Sequence, residues 1–153
     1  MASKTKKAEA LNLAHITPTF TMSAATLKAF KAAKSREILD HSPNYVLKRV
    51  TFTVGWNNPK NDELTTATFS ESLVQEVDED LVLEYWEELG GRDVVTGLGK
   101  EHVFKIVEEM ERWWIVQWVG YSDEEISCEE KHHIARICPL AIVKWRRSLS
   151  PRR

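Results

Sequence analysis

Trp114-Ile115-Val116-Gln117-Trp118-Val119-Gly120-Tyr121, followed at once by Ser122-Asp123-Glu124-Glu125, carries the strongest structural signal in the chain. Large apolar side chains alternate as they do along a β-strand, then stop at an aromatic, a glycine turn, a second aromatic and a run of carboxylates. Two aromatic rings flanking a tight turn beside negative charge can hold an organic cation, because the ring quadrupole attracts it once water is removed.

Outward from that strand the pattern continues on both sides. His102 to Val107 reads as the preceding strand, Glu108 to Arg112 as a hairpin, and Ile126 to Cys128 as a short third strand. Pro139 then stands at a first-turn position for a helix carrying Leu140, Val143 and Trp145. Upstream, the same order occurs once before. Val46, Val50, Phe52, Val54 and Trp56 share one face of a strand, Asn57 to Asp62 form a turn, and Leu64 to Phe69 make a Thr-rich strand. Asp78-Glu79-Asp80 opens a helix in which Val82, Tyr85, Trp86 and Leu89 recur at helical steps, and Gly90-Gly91 ends it. Ser23 to Leu39 predicts a further helix capped by Ser23, in competition with a strand over Arg36 to His41. Two units of about 50 residues, each strands followed by a helix, make a tandem arrangement.

The resulting division is a basic N-terminal arm with a helix over 1–34, a first module over 35–92 and a linker over 93–100. A second module covers 101–147 and a basic tail 148–153. The fold class expected is α+β.

Composition bounds the function. Of 153 residues, 42% are hydrophobic and 29% charged, which is globular and not disordered. No apolar run approaches the roughly 20 residues of a membrane helix, so no membrane partner is expected. The Lys-rich start has no apolar signal core, and two cysteines make no disulfide scaffold, so a reducing compartment is expected. The net charge of −2 is unevenly spread. Residues 1–40 carry seven basic and three acidic side chains (+4), residues 144–153 five basic and none acidic (+5), and the body between them nine against twenty (−11). An acidic body suits a cationic peptide, and basic ends suit nucleic acid or an import receptor. The Ser150-Pro151 step adds a site where phosphorylation could switch the tail.

No glycine-rich phosphate loop, Gly-x-Ser-x-Gly turn or His-Glu-x-x-His helix occurs, so an enzyme is not expected, nor a cofactor. Cys128, His132, His133 and Cys138 lie close enough in sequence to suggest zinc, but adjacent histidines in an extended segment point to opposite sides. No metal is expected.

The strand at 114–121, with Val103-Phe104-Lys105-Ile106 before it and Cys138-Pro139-Leu140-Ala141-Ile142 after it, resembles the chromo domain family. In that family a Tyr-Leu-Val-Lys-Trp-Lys-Gly-Tyr-Ser-Asp-Glu stretch precedes a Cys-Pro-x-Leu-Ile helix start. The resemblance implies two small chromo-like modules, each a curved antiparallel three-stranded sheet closed by a C-terminal helix. It implies that Trp118 and Tyr121 are two walls of a methyl-lysine cage and that Glu129 is the acid beside the bound peptide. At the first cage position the chain has Glu101 or His102, and Phe104 or Trp113 would substitute only in another register. Cys128 stands where the family has Trp.

The first module is more degenerate. Arg36-Glu37-Ile38-Leu39-Asp40-His41 resembles a chromo first strand, and only Trp56 has a cage counterpart. Loss of cage residues on a retained scaffold is similar to chromo shadow domains, which dimerise and take up extended peptides. Tyr85, Trp86 and Leu89 are then the partner-binding surface, with Trp56. The expectation is a nuclear, non-enzymatic chromatin adaptor. Its second module would read a methylated histone tail, and its first would bind a chromatin-associated complex or a second copy. The alternatives are a structural scaffold with inactive cages, and nucleic-acid binding through the basic ends.

Overall fold

The computed structural model describes residues 23–150; the arm expected over the first 22 residues and the last three of the basic tail lie outside them. The described residues divide into two compact units, the first ending at Leu98 and the second beginning at Gly99. Each contains an open three-stranded antiparallel sheet in meander order with helices after it, so the architecture is α+β.

The first unit begins with α1 (Ala24–Ala32). The Ser23 hydroxyl accepts the Thr26 amide at 3.1 Å, the N-cap the sequence predicts. The helix ends well before Leu39, because Arg36 takes over its C-terminal carbonyls. Arg36 Nε donates to Phe30 O at 2.8 Å and Nη2 to Lys31 O at 2.6 Å, and the chain leaves as β1 (Arg36–Asn44). The strand reading of 36–41 therefore prevails over the long helix.

Strand β1 pairs with β2 (Arg49–Asn57), and β2 with β3 (Leu64–Ser70), in registers that set His41 opposite Phe52 and Phe52 opposite Phe69. The β1–β2 register shifts between Ile38 and Asp40. Strand β2 starts three residues later than the alternation suggests. Asn44 Oδ1 accepts the amides of Val46 and Leu47, which closes a tight turn, so Val46 is 91% exposed and not a strand residue.

Three helices follow where one is expected. Helix α2 (Glu71–Val77) is capped by the Ser70 hydroxyl, and α3 (Glu79–Leu89) by Asp78, whose carboxylate accepts the Leu81 amide. Gly90, at φ +100°, ends α3 in the left-handed region that a Cβ disfavours. Helix α4 (Arg92–Thr96) and Leu98 occupy what reads as linker. Arg92 is held by the buried Glu71 carboxylate and Leu98 sits in the first core, so this unit runs past residue 92. Phe30 of α1, fully buried between Trp56 and Phe69, likewise joins the first unit and not an arm.

In the second unit β4 (Val103–Glu109), β5 (Trp113–Trp118) and β6 (Ser127–Glu130) are followed by α5 (Lys131–Ile137) and α6 (Pro139–Leu149). Helix α5 is absent from the sequence reading. Cys138 ends it and opens α6, with Pro139 at the first-turn position where its missing N–H costs nothing. Helix α6 packs along β4, and the core comprises Val103, Ile106, Trp114, Val116, Trp118, Ile134 and Ala141.

Candidate functional site

Strand parity decides which aromatics face inward. Trp114, Val116 and Trp118 lie on one face of β5, and that face is the core. Trp118 is 4% exposed and pairs with Val103. Its indole N–H donates to Ser127 Oγ at 2.8 Å, and that hydroxyl donates on to Glu129 Oε1 at 3.0 Å. Indole, hydroxyl and half-buried carboxylate form one chain joining β5 to β6.

Gly120 follows at φ +86°, a conformation that reverses the backbone with little cost only for glycine. The turn is closed by the Tyr121 amide on Trp118 O at 3.1 Å and by Gln117 Nε2 on Tyr121 O at 3.0 Å. Tyr121 comes out half-buried, packed on the edge of the same core. The ammonium of Lys100 lies 5.3 Å from its ring centroid, inside the about 6 Å range of a cation–π contact. Asp123, Glu124 and Glu125 are exposed just beyond.

The two candidates for a third ring fare differently. Phe104 lies where the β4–β5 register shifts, at the Trp118 end of the pairing, and is half-buried. Trp113 is the opposite case. It begins β5 on the other face, about 17 Å along the strand from Trp118 at the usual strand rise, and pairs with Glu130. It does not belong to a shared pocket with Trp118.

A second cation–aromatic arrangement, unforeseen from the sequence, lies at the far end of the sheet. Lys131 Nζ is 4.6 Å from the Trp114 ring centroid and 2.6 Å from Glu109 Oε2, while Glu109 Oε1 accepts from Trp145 Nε1 at 3.3 Å. The hydrogen bond from Lys131, and after it that from Trp145, hold the exposed Glu109 carboxyl below its usual range. The contact fastens α5 and α6 to the hairpin.

The partner surface expected on the first unit is core instead. Trp56 is 2% exposed, Tyr85 5% and Trp86 3%, and Leu89 packs against the same cluster. Trp86 Nε1 donates to Glu71 Oε2 at 2.8 Å, and the Tyr85 hydroxyl shares a 2.6 Å hydrogen bond with His41 Nδ1. Their helical spacing marks an inward face, which the module's own sheet covers.

Among the described residues no three His, Cys, Asp or Glu side chains converge as metal ligands. Cys128 is exposed, Cys138 is at the α5–α6 junction, and both are free thiols. No described helix is long and apolar enough to cross a membrane. No family model, curated protein or solved structure matches the chain.

Proposed function

We propose that the chain is a non-enzymatic nuclear adaptor of chromatin, two chromo-like modules in tandem that act by protein contact, with the cage of the second module inactive. The observation that carries this reading is Trp118 at 4% exposure with its N–H committed to Ser127. A cation–π cage needs a ring face that a desolvated ammonium can reach, and an indole buried between β4, β5 and the helices offers none. The same order of three strands and closing helices in both units supports the chromo-like reading, as does the motif at 114–121. The deciding experiment is a titration of the full chain with trimethyl-lysine histone peptides, followed by tryptophan fluorescence. The adaptor reading expects no saturable change up to about 1 mM, the weak limit of useful affinity. Saturable binding that Tyr121→Ala abolishes would replace it with the reader.

One observation favours that second reading. The Tyr121 face already carries an ammonium, that of Lys100. A methyl-lysine reader would use this face and displace Lys100. The titration is therefore run on Lys100→Ala as well, where a reader gains affinity and an adaptor still shows none. Retention on duplex DNA with a steep loss in salt would favour nucleic-acid binding instead.

A further inference from the structure

Charge is divided sharply within the second unit. Residues 99–130 carry nine acidic and three basic side chains (−6), whereas residues 131–153 carry seven basic and none acidic (+7). The described residues of the basic part form the two helices α5 and α6. On α6, Ala141, Ile142 and Trp145 turn toward the sheet and belong to or pack on the core. At about 3.6 residues per turn, Leu140, Val143, Lys144 and Arg147 fall within an arc of about 100° on the other side. All four are exposed, Leu140 at 60% and Val143 at 42%. The apolar pair occupies the first half of this stripe and the basic pair the second.

We infer that this stripe is a docking site for an acidic amphipathic helix of a partner protein, with apolar side chains against Leu140 and Val143 and carboxylates one turn away against Lys144 and Arg147. The inference rests on the adaptor reading and adds the chemistry of one partner. Charge complementarity selects the occupant. A flat polyanion, whether duplex DNA or an anionic headgroup layer, would answer Lys144 and Arg147 but leave the exposed Leu140 and Val143 without an apolar partner. Two outward apolar residues are moreover too few for the buried face of a membrane-lying helix. A second copy docking stripe to stripe would set Lys144 and Arg147 against themselves in a parallel pairing and against Leu140 and Val143 in an antiparallel one, and both leave the charges without a counter-charge. A single acidic helix covers the stripe and leaves the rest of the unit uncovered.

The test uses the full chain and two stapled synthetic helices of about 15 residues, long enough to be held helical by the staple. Each bears two leucines three positions apart. One carries two glutamates a turn further on, and the other carries lysines there. The expected result is saturable binding of the glutamate helix and none of the lysine helix. Leu140→Ser with Val143→Ser should weaken binding about tenfold. Lys144→Glu with Arg147→Glu should weaken it at least about fivefold and transfer binding to the lysine helix. Lys144 and Arg147 are both exposed, so the charge reversal tests the inference even if the serine variant unfolds. Equal binding of both helices, binding of neither, or indifference to the charge reversal would overturn the inference. So would tighter stripe-dependent binding of duplex DNA or of phosphatidylserine vesicles, or stripe-dependent self-association by sedimentation. A trimethyl-lysine peptide that bound at Tyr121 while the glutamate helix still bound at α6 would remove the inactive cage and leave the docking site standing.

Discussion

Replacing Arg92 with alanine should cripple the first unit, although Arg92 lies in a five-residue helix outside its sheet. The Glu71 and Arg92 side chains are 2% and 3% exposed. Arg92 Nε donates to Glu71 Oε2 at 2.8 Å and Nη2 to Oε1 at 2.8 Å, a bidentate pair with Trp86 Nε1 as third donor. Truncation leaves a buried carboxylate with one neutral donor, which costs about 3–5 kcal/mol. A domain of this size has about 5–10 kcal/mol in total, so roughly half would vanish. At about 4–8 °C per kcal/mol for small domains, the melting temperature should fall by at least 12 °C. Hydrogen exchange at Phe52 and Val54, buried in β2, reports on this unit alone. Glu71→Gln with Arg92→Met keeps an acceptor for Trp86 and removes both charges, and it should restore more than half of the loss. A loss below about 1 kcal/mol for Arg92→Ala, the range of a surface pair, would show that the buried pair does not hold this unit together. A double variant no better than the single would do the same.

Two further expectations concern titration. Burial, and after it the Asp40 charge, push the Tyr85 phenol well above its usual range. Its neutral form is thus favoured by folding, and tyrosinate forms first in the unfolded chain. Stability should then fall as the pH rises beyond about 10, the ordinary tyrosine value. Alkaline melts of Tyr85→Phe should lack that part of the slope, at a cost of about 1 kcal/mol at neutral pH for the lost bond to His41. The carbon signal of the Glu109 carboxyl should titrate below the ordinary glutamate value, and Lys131→Met should move it up. Since that carboxyl is lowered in the fold, its contribution is present above the unfolded value and disappears as pH falls through the folded one.

How much of this was legible follows the kind of signal. Strand β5 was plain because alternation survives whatever packs on it. The same parity puts Trp114, Val116 and Trp118 on one face, so the burial of Trp118 was implicit in the pattern that drew attention to it. Val46 misled because it shares parity with Val50 through Trp56. The asparagine that closes the turn ahead of it acts through backbone amides and leaves no periodic trace. Helix α2 was missed because it is short and two of its three buried residues, Glu71 and Gln75, are polar. Hydrophobic periodicity cannot see an inward carboxylate, nor the arginine that answers it twenty-one positions later. Tyr85 and Trp86 were placed on the correct helix, but their outward assignment failed because spacing defines a face without saying what covers it.

The most direct measurement is the thermal stability of Trp118→Ala in the full chain, read together with its response to a trimethyl-lysine peptide. If the indole is a structural member of the second core, the variant should lose about 3–5 kcal/mol, the usual cost of emptying so large a site. A variant that melts like the parent, while forfeiting peptide binding that the parent possesses, would contradict the account.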